Sequence, residues 1–206
     1  MPYLTEASKQ ALTAAVESIE RQSAAEVVVA VRVKSGSMLH SDLLAGALGA
    51  FITLAFLLFS RFTFSLEAVL IDTTLFGALS ALLCSRWPAL RFRLTPRRLA
   101  AASVARAARA EFFDAHISET RGRTGVLVYV SQTERSAEVL ADCGVRNAID
   151  VAAWEACVRR IRSVVESKQD GVLLAGAVSE LGGVLAACLP RAADDIDELA
   201  NQVRAQ

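Results

Sequence analysis

Two long apolar runs limit most strongly what this chain can fold into. Residues 43–60 contain no charged side chain, and residues 66–85 contain only Glu67 and Asp72. As helices rising 1.5 Å per residue, the runs would span about 27 and 30 Å, close to the ~30 Å hydrocarbon core of a bilayer. Because only residues 61–65 connect them, we predict an antiparallel transmembrane hairpin. The alternative is a pair of core helices buried in protein.

Asp72 admits two placements of the second helix. If this helix begins at Leu66, the Asp72 carboxylate lies inside the membrane segment, where it would be costly and would indicate a functional polar contact. Alternatively, residues 61–72 are interfacial and the helix runs from Thr73 to about Leu90. We favour this second placement because Trp87 would then be an interfacial anchor.

The composition also indicates a membrane location. Of the 206 residues, 53% are hydrophobic, and the mean hydropathy is +0.39. An ordinary soluble domain of this size is less apolar, at about 45–50%. The 22 basic side chains balance 22 acidic ones. We therefore expect the lipid bilayer as a partner, and no nucleic acid.

Basic residues flank the predicted hairpin and are scarce in its loop. Arg32 and Lys34 precede it, residues 86–110 contain seven arginines and no acid, and the loop holds only Arg61. By the positive-inside rule, both termini lie in the cytoplasm and the two helices cross the inner membrane. The opening MPYLTEASKQ shows no secretory signal, which agrees with this orientation. The arginine-rich segment suits either anionic lipid headgroups or a solvated helix face.

The rest of the chain predicts a small α/β domain, discontinuous in sequence. Residues 1–41 and 95–206 form this domain, and residues 42–94 form the hairpin with its basic juxtamembrane segment. A helix over residues 5–22 precedes a buried strand, Ala25 to Lys34. Thr95 and Pro96 predict the N-cap and first position of a long helix ending near Gly122. Its buried stripe would be Val104, Ala108, Phe112 and Ala115.

Further helices follow towards the C-terminus. Asp150 is expected to cap a helix with Trp154, Val158, Ile161 and Val165 inward. A second helix would run from Asp170-Gly171 through Cys188, and a short terminal one would carry Ile196, Leu199 and Val203. Each of these assignments rests on apolar residues recurring at helical spacing.

Residues 121–145, RGRTGVLVYVSQTERSAEVLADCGV, predict a β-hairpin. Val126, Val128 and Val130 alternate with Leu127 and Tyr129, a polar QTER turn follows, and a second alternating run leads to Asp142. RTGVLVYVS, the pair Glu134-Arg135, AEVLAD and Gly144 resemble the TPM-domain family, in its bacterial putative-membrane-protein branch. This resemblance implies a TPM-like α/β/α sandwich, here with an inserted transmembrane hairpin, among membrane-associated relatives.

Acidic residues are the remaining candidates for site chemistry. The two histidines are far apart and outside zinc motifs, the four cysteines show no CxxC spacing, and no glycine-rich phosphate loop occurs. Some members of the resembled family bind divalent cations, and one is proposed to be a phosphatase. Asp142, at a strand end, could join Asp170 or a loop carbonyl around Ca²⁺ or Mg²⁺, with Glu134 as a further candidate ligand. The alternatives are a turn cap for Asp142 and a turn-stabilising pair for Glu134 and Arg135.

The sequence therefore leaves two functions. The favoured one is a non-enzymatic, membrane-anchored module that binds a membrane or membrane-proximal protein, with or without a divalent cation. The alternative is a metal-dependent acid phosphatase. No convergent set of nucleophile, base and oxyanion donors can be identified, which favours the binding module.

Overall fold

The computed structural model describes residues 3, 5–36, 39–87, 90–91, 94–167, 170–191 and 204–205. The chain separates into two compact units. The α/β unit contains Met1–Ser35 and Ala101–Gln206, and the helical unit contains Gly36–Ala100. The α/β unit is thus formed by two segments of the chain, one before the helical unit in the sequence and one after it.

The α/β unit contains a mixed sheet. Its strands are β1 (Glu26–Arg32), β2 (Gly125–Ser131) and β3 (Ser136–Ala141), with a two-residue strand β4 (Arg204–Ala205) beside β1. The spatial order is β3-β2-β1-β4. β1 runs parallel to β2, from Glu26 opposite Gly125 to Arg32 opposite Ser131. β2 and β3 form the antiparallel pair that the alternating sequence predicted.

Helices cover both faces of this sheet. On one face, a core cluster joins β1 and β2 to α1 (Glu6–Glu20) and to two later helices, α6 (Val151–Ser167) and α7 (Gly171–Cys188). On the other face, α4 (Arg97–Asp114) packs on the remaining strand side chains through the predicted Val104, Ala108, Phe112 and Ala115. Because β1 and β2 are covered on both sides, they read as nearly continuous apolar runs.

The helical unit consists mainly of α2 (Leu39–Phe59) and α3 (Leu66–Arg86), which pack against each other. Close approach rests on small residues: a Cβ on Gly49 would lie 2.1 Å from Ser80 Oγ, and one on Gly77 would lie 3.0 Å from Ala50 Cβ. Small residues at a helix interface are typical of membrane helix pairs. Most of the large apolar side chains on both helices are exposed.

Three described helices are long and apolar enough to cross a membrane: α2, α3 and α7. They differ in burial. In its most apolar 18-residue window, α7 is 44% buried within the protein, compared with 11% for α2 and 6% for α3. In α7, Leu174, Val178 and Leu181 belong to the core of the α/β unit.

The second apolar helix begins earlier than we expected. Ser65 caps α3 by accepting a hydrogen bond from the Ala68 backbone N–H at 3.2 Å. The favoured start at Thr73 is therefore wrong, and Asp72 lies within the helix, half-buried. The cap explains the difference, because a serine before the run satisfies an otherwise unpaired N–H group.

A polar cluster joins the beginning of α2 to the chain beyond α3. Arg91 donates two hydrogen bonds to the Asp42 carboxylate, one of them from Nε to Oδ1 at 2.8 Å. The Ser41 and Thr95 hydroxyls are 2.7 Å apart, and Thr95 also donates to the Arg91 carbonyl at 2.7 Å. Asp42, Ser41 and Thr95 are all buried.

This cluster corrects the expected start of α4. The Thr95 hydroxyl bonds Ser41 and the Arg91 carbonyl, whereas the Pro96 carbonyl accepts the first helical hydrogen bond, from Ala100. The helix begins at Arg97 and ends at Asp114, eight residues before the expected end at Gly122. It ends there because His116 adopts a left-handed conformation, with φ 55°.

Two short helices remain. The structure contains α5 (Cys143–Ala148), which the sequence pattern did not predict. The expected terminal helix with Ile196, Leu199 and Val203 lies outside the described residues.

Candidate functional site

The carboxyl ends of β1 and β2 carry a polar cluster on the side of the sheet that α4 covers. Arg32 ends β1, and its Nη2 lies 2.6 Å from Glu111 Oε2 on α4, with Nε at 3.2 Å from the same oxygen. Arg204 Nη1 lies 3.9 Å from the other carboxylate oxygen. Ligands of open α/β sheets commonly bind at the carboxyl ends of parallel strands, so this edge is a candidate binding site.

Tyr129 extends the cluster along β2. Its side chain is buried, and its hydroxyl lies 3.0 Å from Ser35 Oγ in the loop after β1. Burial raises the pKa of Tyr129, while the hydrogen bond between Tyr129 and Ser35 and the charge of Arg32 act in the opposite direction. The Tyr129 hydroxyl is thus a polar group within an otherwise apolar layer.

Glu134 fastens the two strand ends together. Its carboxylate accepts hydrogen bonds from the Ser35 backbone N–H, at 3.2 and 3.3 Å, and from the Ser131 hydroxyl. The residue is only 5% exposed. Nearby, the Thr133 backbone N–H and hydroxyl donate to the Val33 carbonyl, at 3.0 and 2.6 Å. Glu134 therefore holds the loop after β1 against the turn after β2.

Two buried donors in this region have no acceptor among the described residues: Arg32 Nη1 and Gln132 Nε2. These two groups are donors, so the cluster could bind an oxygen atom that accepts a hydrogen bond. The Glu111 and Glu134 carboxylates already accept hydrogen bonds from protein groups.

Asp142 lies at the opposite end of the sheet from Glu134. It caps α5, with Oδ1 accepting a hydrogen bond from the Cys143 N–H at 2.6 Å, and Oδ2 is 3.5 Å from Arg123 Nη1. All six residues of β3 separate Asp142 from Glu134, which corresponds to about 20 Å. The structure does not bring these two predicted ligands together.

Asp170 precedes α7, one of the helices on the face of the sheet that α1 covers. It caps α7 by accepting a hydrogen bond from the Val172 N–H at 2.8 Å. Burial raises the pKa of Tyr3 to about 12, with Asp170 adding to the increase and Arg135 opposing it. Tyr3 belongs to the core cluster with α1. Its pKa therefore depends on the charge of Asp170 and on that of Arg135 in the turn of the β-hairpin.

The three predicted ligands therefore have local structural contacts. Asp142 and Asp170 are helix caps, and Glu134 binds backbone and hydroxyl donors. Within the part of the chain that the structure describes, no three side chains of His, Cys, Asp or Glu are grouped so that they could hold a metal ion.

A groove of about 420 Å³ lies between the edge strand β3 and α6. Its apolar lining is Val139, Val151, Trp154 and Val158, with Glu155, Arg159 and Arg162 beside them. Arg162 donates to the Glu138 carboxylate at 2.8 Å and to the Ala137 carbonyl at 3.3 Å. The sequence placed Trp154 and Val158 on the inner face of a helix, but it carried no signal that β3 is an edge strand.

Comparison with known proteins gives information on the fold alone. No family model and no curated protein matches the chain. The NMR structure of BA42 protein from the psychrophilic bacterium Bizionia argentinensis is similar, with a TM-score of 0.61 at 17% sequence identity over 99% of this chain and 96% of that one. At this identity the similarity shows that the chain shares the α/β fold of that protein.

Proposed function

We propose that this chain is a membrane-anchored α/β module that binds an extended segment of a partner protein. The α2–α3 pair provides the anchor, as a two-helix transmembrane hairpin inserted into a TPM-like α/β/α sandwich. Binding takes place in the groove between β3 and α6. The module acts as an accessory or interaction protein without chemistry of its own.

The anchor is supported by length, composition and packing. Both helices have 21 residues, and large apolar side chains such as Phe51, Phe56 and Leu70 are 65–70% exposed. Burying such surface in lipid is strongly favourable, while leaving it in water is costly. α7 is similarly apolar, but its burial against α1 supports a core role. The proposal therefore has two spans.

The orientation follows from charge. Basic residues lie before α2 and after α3, whereas the loop between the helices has only Arg61. Under the positive-inside rule, the hairpin crosses the inner membrane with both of its ends in the cytoplasm, and the α/β module lies on the cytoplasmic side.

The groove is the single observation that carries the binding role. β3 is an edge strand with no strand beyond it among the described residues, and Val139, Trp154 and Val158 line the groove beside it. An extended peptide can add to such an edge through backbone hydrogen bonds and place alternate side chains in an adjoining apolar groove. Tryptophan is among the residues that most often dominate binding energy at interfaces.

The separation of Glu134 from Asp142 weakens the alternative, a metal-dependent phosphatase, because the carboxylates proposed to bind its metal are at opposite ends of the sheet. It weakens equally the proposal that a shared Ca²⁺ or Mg²⁺ assists partner binding. A cation at Asp142 alone would need backbone carbonyls as further ligands.

Two matched variants test the binding site. Val151 is 62% exposed at the groove, and Val172 is 54% exposed near the start of α7, outside the groove lining. Val151→Glu places a charge in the apolar groove, while Val172→Glu makes the same chemical change elsewhere. We expect detergent-extracted wild type and Val172→Glu to retain the same partner in affinity purification with mass spectrometry, and Val151→Glu to lose it. Retention of one partner by all three proteins would refute the groove as the binding site.

A further inference from the structure

The outer face of α4 combines arginines with an exposed aromatic side chain. At 100° per residue, Arg98, Arg109, Ala102, Phe113 and Arg106 fall in this order within an arc of about 80°. All five are exposed, and Phe113 is 66% exposed. Phe112, its neighbour in the chain, is instead buried against the sheet. One side of α4 thus belongs to the core and the opposite side is basic and apolar.

The arginines on this face have no acidic partner among the described residues. Within the described part of the chain, Arg106 donates to the Ala102 carbonyl of its own helix, at 3.3 Å. Of the acids on α4, Glu111 is turned inward to Arg32, and Asp114 lies at the end of the helix, outside the arc. The contrast with α6 is clear, since Arg159 and Arg160 there lie 3.3 and 3.9 Å from Glu155 and Glu180.

We propose that this face of α4, defined by Arg98, Ala102, Arg106, Arg109 and Phe113, binds the anionic headgroups of the membrane that α2 and α3 span. The inference rests on the proposed membrane anchor and adds the class of lipid that the module recognises. The guanidinium groups bind lipid phosphates and Phe113 enters the boundary between headgroups and acyl chains. The small side chain of Ala102 lets the helix approach the surface closely.

The short connection between α3 and α4 favours lipid headgroups as the ligand of this face. Only ten residues, 87–96, separate the end of α3 from the start of α4. Fully extended, they reach at most about 36 Å, so the first turn of α4 stays within that distance of the end of α3. Unpaired positive charge close to an anionic surface strengthens association about fivefold per arginine.

A tryptophan reporter can measure the contact in the full chain. Phe113→Trp, with Trp87→Phe and Trp154→Phe, leaves one tryptophan on the proposed face. The protein is reconstituted into vesicles of brominated phosphatidylcholine, either alone or mixed with phosphatidylglycerol. We expect stronger bromine quenching of this tryptophan in the anionic vesicles, and a decrease on adding salt because salt screens charge.

Two double variants with equal charge change complete the test. Arg106→Gln with Arg109→Gln should weaken the association about 25-fold and lower quenching to the level in neutral vesicles. Arg146→Gln with Arg160→Gln, at exposed positions on α5 and α6 outside the groove lining, should leave it unchanged. Equal quenching in both lipid mixtures, or equal loss in both double variants, would overturn the inference.

Flotation of the same vesicles separates this inference from the anchor. A protein that floats with both lipid mixtures but shows equal quenching is anchored without the proposed headgroup contact. A protein that floats with neither would refute the anchor, and the headgroup contact with it.

Discussion

Gly144 is a position where a single added methyl group should destabilise the α/β unit, because every nearby atom belongs to the backbone. A Cβ there would lie 2.3 Å from the Gly122 carbonyl oxygen and 2.6 Å from that of Arg123. These distances are 1.1 and 0.8 Å inside the 3.4 Å at which ordinary contact begins. Both obstacles are backbone atoms, so no side chain can rotate away, and the segment before β2 must move.

The expected cost of Gly144→Ala follows from three contributions. Overpacking costs about 1–3 kcal/mol. Moving the Arg123 carbonyl also weakens its hydrogen bond from the Gly144 N–H, now 3.0 Å long, at a cost of about 1 kcal/mol. Because Gly144 lies in α5, alanine returns about 0.5–1 kcal/mol of backbone entropy. The net loss in the free energy of unfolding should be about 1–3.5 kcal/mol.

Gly176→Ala is the matched control, since Gly176 lies in α7 with no atom within 4 Å of its added Cβ. It should stabilise the protein by about 0.5–1 kcal/mol. Urea unfolding in detergent, followed by Trp154 fluorescence in a Trp87→Phe background, measures both variants. A Gly144→Ala protein as stable as the Gly176→Ala protein would refute the argument from close approach.

Three further predictions concern Tyr3, Asp142 and the helical unit. The pKa of Tyr3 is raised from 10 to about 12, so the stability contributed by its neutral phenol is present below pH 10 and lost between pH 10 and 12. Tyr3→Phe should therefore remove part of the alkaline decrease in melting temperature, and an unchanged decrease would contradict the assignment. Asp142→Ala should cost about 1 kcal/mol through the lost helix cap. Millimolar Ca²⁺ should shift the melting temperatures of this variant and wild type equally, whereas a shift confined to wild type would establish a cation site at Asp142. Replacing residues 36–95 by a ten-residue Gly/Ser linker, with a reach of roughly 16–19 Å, should give a soluble α/β unit with slow amide exchange in β1 and β2. An aggregated or unprotected product would show that the helical unit is needed for the fold.

Local patterns in the sequence predicted most of the elements of the fold. The continuous run Val27-Val28-Val29 located β1 and alternating valines located β2. The long apolar runs located α2 and α3, and helical spacing located the buried stripe of α4. These signals are strong because each records burial over many residues. A six-residue helix such as α5 is too short to show a period, and it was missed.

The polar contacts could not be predicted because their partners are far apart in sequence. Glu134 binds the backbone of Ser35, 99 residues earlier, and Arg32 binds Glu111, 79 residues later. The sequence predicted that Thr95 caps a helix. Its hydroxyl instead forms a hydrogen bond with that of Ser41, 54 residues earlier. Asp142 was a candidate ligand because it ends a strand in the family-like AEVLAD motif, but the length of β3 separates it from Glu134.

Cysteine labelling in intact cells tests the central claim, a cytoplasmic α/β module on a two-helix anchor, most directly. Thr63→Cys lies in the exposed loop between α2 and α3, and Ser136→Cys lies at the start of β3. We expect a membrane-impermeant maleimide to label the Thr63→Cys protein, and to leave the Ser136→Cys protein and the wild type unlabelled until the cells are lysed. Labelling of the Ser136→Cys protein in intact cells, with Thr63→Cys protected, would contradict the account.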